Sequence, residues 1–151
     1  MISRPSDGGS RHDLLSFTPA RPITVLVAED EEAIRTAISR GLQEHGYRTL
    51  EARDGSEALD LARLALPHVD LVITDIVMPN VDGRELGRLL AAECPQVPVL
   101  YISAHFTGDI FRRDGPAGEV CLQKPFSIEA LQVAVRSLLG LRQVSKARED
   151  F

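Results

Sequence analysis

Only two cysteines, Cys94 and Cys121, occur in the 151 residues, and both sit in apolar surroundings without metal-ligand spacing. They read as buried reduced thiols, which fits a reducing cytoplasm and argues against a thiolate metal site. No apolar run approaches the ~18–20 residues that a membrane helix needs, so no membrane contact is expected. Positive charge is in short supply: the net charge is −5 at pH 7. That balance argues against nucleic acid or an anionic membrane as the main partner. The opening stretch, MISRPSDGGSRHDLLSFTPARP, lacks the apolar centre of a secretory signal. Residues 1–21 are expected to form a flexible tail. Neither an internal repeat nor a low-complexity block occurs.

What is present suits one globular domain. Apolar residues make up 44% and charged residues 26%, enough for a core within a length typical of a single domain. Ile23–Ala28 is a short β-rich apolar run, hence a buried strand. Ala33, Ile34, Ala37, Ile38, Gly41 and Leu42 then recur at helical spacing, and Gly46 ends that helix. Tyr47–Ala52 reads as a second strand, Asp54-Gly55 as a turn, and Ser56 as the cap of a second helix through Leu59, Ala62 and Leu66, stopped by Pro67. Val69–Thr74 is a third strand, apolar apart from Asp70, and a helix over Gly83–Glu93 follows with Leu86, Leu89 and Leu90 inward. Val97–Ile102 and Val120–Gln123 are strands four and five. Between them Gly108–Gly118 is rich in Gly, so its helix is expected to be short or irregular. Ser127 caps a last helix with Ile128, Leu131, Val135, Leu138 and Leu139 on one face, and a charged tail, 141–151, is expected after it.

Strand and helix thus alternate five times. Uninterrupted apolar strands imply a parallel sheet covered on both faces. Sites in such sheets lie at the carboxyl ends of the strands, where the strand order reverses. There the chain places Glu29 and Asp30 after strand one, Asp75 after strand three, Ser103 after strand four and Lys124-Pro125 after strand five. Three close carboxylates raise one another's pKa, so a positive partner is required. Lys124 offers one charge, and a hard divalent cation with oxygen ligands, Mg²⁺, would offer two more. A carboxylate in that setting can attack phosphorus and form an acyl phosphate, and Asp75 is the best placed.

The set Glu29-Asp30, Thr74-Asp75-Ile76-Val77-Met78-Pro79 with Asp82-Gly83, Ser103-Ala104 and Lys124-Pro125-Phe126 resembles the receiver domain of two-component response regulators, over residues 22–140. The resemblance implies a flavodoxin-like (βα)5 fold and a phosphoacceptor role rather than an enzyme's: a domain that assists its own phosphorylation and dephosphorylation. Asp75 would take a phosphoryl group from a phosphohistidine. Asp30, Asp75 and the backbone carbonyl of Val77 would bind Mg²⁺, with Glu29 assisting. Lys124 would pair with Asp75 and then with the phosphoryl group, and Ser103 would move toward it. Lys124-Pro125 resembles the family's cis peptide. The implied partners are a histidine kinase or histidine phosphotransfer protein and a downstream protein target, with a homodimer left open.

Three features depart from the commonest family pattern. Glu29 stands where Asp is frequent, Cys121 where many receivers carry a switch aromatic, and Gly108–Gly118 where the fourth helix usually lies. The last resembles receivers attached to hybrid sensor kinases. His105, two residues beyond Ser103, reads as an exposed loop histidine, with a place near the path of entering water as the alternative; Phe106 and Phe111 are expected either to fill the space of a poor helix or to face a partner. Two other readings use the same residues. One is a receiver-like binding module that works without phosphorylation. The other is an aspartyl-phosphate phosphatase of the haloacid dehalogenase type, disfavoured because Val77 stands where that class carries its second acid. With few residues after Gly140, output through protein contact is expected.

Overall fold

The computed structural model describes residues 21–65, 68–104 and 120–149, with 141–149 described by backbone alone. The strands are β1 (Thr24–Ala28), β2 (Arg48–Ala52), β3 (Leu71–Asp75), β4 (Val99–Ser103) and β5 (Val120–Gln123). The helices among the described residues are α1 (Glu32–Gln43), α2 (Gly55–Ala65), α3 (Gly83–Glu93) and α4 (Ile128–Glu149). All neighbouring strands run parallel, in the order β2-β1-β3-β4-β5. This is the flavodoxin-like doubly wound order, whose reversal falls between β1 and β3.

Alternation along each strand divides the core in two. Leu26, Ala28 and Val72 face one way and pack with Ala58, Leu59 and Ala62 of α2 and Leu86 and Leu90 of α3. Val25, Val27, Leu71, Ile73, Leu100 and Ile102 face the other way, against Ile38 and Leu42 of α1 and Leu131, Val135 and Leu138 of α4. Each buried Leu, Ile or Val contributes about 1.5–3 kcal/mol. Both faces of β1 and β3 are therefore buried along their length, up to Glu29 and Asp75.

The helix ends refine the sequence reading. The cap of α2 is Asp54, whose Oδ1 accepts from Glu57 N at 2.8 Å; Ser56 lies inside the helix. Asp54 reaches the free N–H because it stands just before Gly55, whereas Ser56 already has helical backbone. Ser127 caps α4 as expected, accepting from Ala130 N at 3.0 Å. Gly46 ends the α1 segment with φ 88°. The backbone of α4 continues to Glu149, past Gly140, through the stretch the sequence reads as a tail. The opposite edge of the sheet is tied by Asp70, which accepts from Thr24 N at 2.9 Å and pairs with both terminal nitrogens of Arg21 at 2.9 and 3.1 Å. Leu66, Pro67, His105, Phe106, Phe111 and Gly108–Gly118 lie outside the described residues.

Gly83, the first residue of α3, brings that helix against the end of β3. A Cβ there would stand 2.0 Å from the backbone oxygen of Asp75. Gly83→Ala should cost about 3 kcal/mol in urea unfolding, because the obstacle is backbone and cannot rotate away. Gly140→Ala is the control: it meets nothing within 4 Å and should be neutral or stabilising. Equal stability of the two variants would contradict the packing described.

Candidate functional site

Four strands deliver the site residues to one edge. Ala28 pairs in register with Thr74, so Glu29 and Asp75 follow as neighbours on adjacent strands. The ladder runs on beyond the strands: Glu29 N donates to Ala52 O at 3.1 Å, Ile76 N to Ile102 O at 3.1 Å and Lys124 N to Ser103 O at 2.8 Å. These bonds fix the backbone at the points where the functional side chains leave it. Glu29, Asp75 and Ser103 are buried, whereas Asp30 is exposed. The Lys124-Pro125 peptide is cis, as expected from the sequence.

Lys124 closes the arrangement across 95 positions from Glu29. Its Nζ donates to Asp75 Oδ2 at 2.9 Å and to Glu29 Oε1 and Oε2 at 3.2 and 3.1 Å. Carboxylate oxygens of Glu29, Asp30 and Asp75 all lie within 4.8 Å of one another. An oxygen-only donor set of this charge suits a hard divalent cation.

The electrostatics show which effects dominate. Burial, then the charge of Asp75, push Glu29 up to about 7, although both of its oxygens bond to Lys124. Burial alone would lower the Lys124 value, but the bonds to Asp75 and Glu29 outweigh it and hold the ammonium above its ordinary range. Lys124 therefore stays charged near neutrality, while Glu29 is poised between its two forms. Burial also pushes Cys121 up to about 11 and raises Cys94. Both remain protonated thiols at neutral pH, but only Cys94 is buried as expected; Cys121 is half-buried, because β5 lies at the edge of the sheet.

The structure thus brings together Glu29, Asp30, Asp75 and Lys124, with Ser103 at the end of the adjoining strand. Val77 lies beside Asp75, its N 3.4 Å from Oδ1. Glu29 touches Lys124 directly, a contact the sequence did not reveal. Arg35, which no motif singles out, also supports the site: its Nη1 donates to Glu29 O at 2.9 Å and its Nε lies 3.3 Å from Glu51 Oε1. Its one sequence sign is a cation in the second turn of a helix that opens with acids.

The chain is similar to known proteins over most of its length. Residues 25–136 match the family model of the response regulator receiver domain. The chain belongs to the response regulator receiver domain family. Over 118 residues this receiver domain is 39% identical to the sensor kinase CckA of Brucella abortus, covering 77% of this chain and 12% of that protein. Over 120 residues it is 36% identical to the response regulator MprA of Mycolicibacterium vanbaalenii, covering 78% of this chain and 51% of that one. It therefore spans about half the length of one curated relative and a small part of the other. Among solved structures, it superposes on the receiver domain of the hybrid histidine kinase CckA with a TM-score of 0.66 at 35% identity, covering 77% of this chain and 98% of that one. No helix among the described residues is long and apolar enough to cross a membrane.

The Glu29 value has a sign that can be measured. A carboxyl whose pKa is higher in the fold than in the unfolded chain stabilises the fold below its unfolded value. That contribution is lost as pH rises through the folded value. For Glu29 the window runs from 4.5 to about 7. In EDTA, the unfolding free energy of wild type minus that of Glu29→Gln should fall across this window and then level off. A difference that rises with pH would contradict the burial and Asp75 repulsion described.

Proposed function

We propose that this receiver domain is a phosphoacceptor in a two-component phosphorelay, and that Asp75 is the residue phosphorylated. The observation that carries the reading is the convergence of a buried Asp75 with Lys124, at 2.9 Å, and with two further carboxylates within 4.8 Å. A carboxylate oxygen of Asp75 attacks the phosphorus of a phosphohistidine. The P–N bond breaks, its electron pair returns to the imidazole, and an acyl phosphate remains on Asp75. The donor is a histidine kinase or a histidine phosphotransfer protein.

Asp30, Asp75 and the Val77 carbonyl are the direct ligands we assign to Mg²⁺, with Glu29 assisting from its buried position. When bound, the cation neutralises charge on the carboxylates and on the transferring phosphoryl oxygens. Glu29 is ionised more completely beside such a cation than without it. Lys124 remains an ammonium throughout. It orients Asp75 before transfer and pairs with the phosphoryl oxygens afterwards. Ser103, at the end of β4, hydrogen-bonds the new group and carries its presence into the sheet edge. The change in charge at Asp75 then biases two arrangements of that edge, which a downstream protein reads.

Two settings suit the same module. The relatives include a sensor kinase and a response regulator, so the domain serves either as a separate regulator or as the receiver of a larger kinase. We place the domain in the cytoplasm, where two free thiols stay reduced.

The test is intact mass after incubation with acetyl phosphate and Mg²⁺. Wild type should gain one phosphoryl group, EDTA should abolish the gain, and Asp75→Asn should fold normally without gaining it. A folded wild type that gains no phosphoryl group from acetyl phosphate or from a phosphohistidine donor, and binds no beryllofluoride, would leave the phosphorylation-independent binding module as the better reading.

A further inference from the structure

The loop between β3 and α3, residues 76–82, carries the Val77 carbonyl assigned above to Mg²⁺. Something other than the Val77 side chain must hold it, since that side chain is 72% exposed. Part of the hold comes from the elements the loop joins: Gly83 N donates to Ile76 O at 2.7 Å, and Met78 is buried in the core. The rest comes from a different element, the start of α2. Asn80 stands at φ 67°, a left-handed conformation that Asn tolerates better than most residues. Its Nδ2 donates to Asp54 Oδ2 at 3.2 Å. The other oxygen of the same carboxylate accepts from Glu57 N at 2.8 Å and caps α2. Beside this pair, Gly55 admits the Val81 carbonyl so closely that a Cβ at Gly55 would stand 1.9 Å from the Val81 oxygen. Asp54-Gly55 thus receives Asn80-Val81 as a fitted pair.

The Asn80–Asp54 bond is exposed, and a single exposed hydrogen bond adds little to global stability. What it does fix is position. It lies on the loop between Val77 and the Asp82 cap of α3, which accepts from Glu85 N at 2.8 Å. With both ends of the loop set by the sheet and by α3, the Asn80 contact sets its middle. Val77 N then stays 3.4 Å from Asp75 Oδ1.

We infer that Asp54 and Asn80 are positioning residues for the metal site: by latching the loop to the start of α2 they hold the Val77 backbone beside Asp75. This rests on the Mg²⁺ reading above. Partners one step removed from a metal typically alter its affinity by about 10–100-fold.

The experiment is calorimetric titration of the full chain with Mg²⁺ at about pH 8, above the Glu29 value so that this carboxylate is ionised. Asn80→Gly keeps the left-handed backbone and removes the amide. Asp54→Ser keeps a cap acceptor and is too short to reach Asn80. Asp30→Ala serves as the ligand control, and urea unfolding in EDTA is recorded for every variant. Asn80→Gly and Asp54→Ser should each weaken Mg²⁺ about ten-fold, and the double variant no further, as expected of two halves of one contact. Their unfolding midpoints should stay near wild type. If both variants bind Mg²⁺ like wild type while Asp30→Ala does not, the latch is overturned and the metal reading stands. Affinity that falls only in step with the unfolding midpoint overturns it too, because the role is then structural. A wild type that binds no Mg²⁺ overturns the metal reading and the latch with it.

Discussion

One ammonium facing three carboxylates governs the active edge of this molecule. Lys124 reaches Asp75 and both oxygens of Glu29, and Asp30 completes the acidic group from the exposed side. A single positive charge cannot balance the set once all three acids are ionised. The shortfall is visible in Glu29, which burial and Asp75 hold at about 7 despite its bonds to Lys124. A proton or a divalent cation can supply the missing charge, and only the cation would leave Glu29 fully ionised beside Asp75. In the transfer proposed above, the phosphoryl oxygens would meet the ammonium that geometry already holds there, and their added negative charge would deepen the need for a cation.

The rest of the fold maintains that geometry. Parallel order with β1 and β3 adjacent puts Glu29 and Asp75 side by side. Backbone bonds past the strand ends keep the side chains from drifting, and Gly83 lets α3 seat directly on the Asp75 carbonyl. The opposite edge is anchored by Arg21 and Asp70. Asp70, just before β3, satisfies the Thr24 N–H as well as pairing with Arg21, so this acid has a structural task. On the far side, Arg35 ties the Glu29 carbonyl to Glu51 on the edge strand, which steadies the turn from β1 into α1.

Much of this was legible in the chain because period and chemistry agree. Doubly buried strands read as uninterrupted apolar runs, and helices as apolar faces at 3.6 spacing, so element order and the parallel sheet followed without ambiguity. α3 and β5 fall where the residues place them. The site was legible for a different reason. Ionisable residues at the carboxyl ends of strands in such a sheet have few structural uses, and Asp75 closes β3 while Lys124 directly follows β5. Less legible were features that depend on contacts across the fold. Ser56 and Asp54 are both good caps by type, and only the position of the first helical turn selects Asp54. Nothing local marks Arg35 as a partner of Glu29, or Asn80 as a partner of Asp54 from 26 positions away. The direct Glu29–Lys124 contact is equally hidden, because the length of the Glu side chain matters only once the neighbouring strand is in place.

Charge shortage at Glu29 sets the state of the whole site, and proton release on Mg²⁺ binding measures it. Calorimetric titrations near pH 7, in buffers of differing ionisation enthalpy, should show wild type releasing a fraction of a proton per Mg²⁺ bound. The release should shrink well above pH 7, where Glu29 is already ionised. In Glu29→Gln it should disappear. Mg²⁺ binding near pH 7 without proton release, or with the same release in Glu29→Gln, would contradict a site whose missing charge is shared between proton and cation.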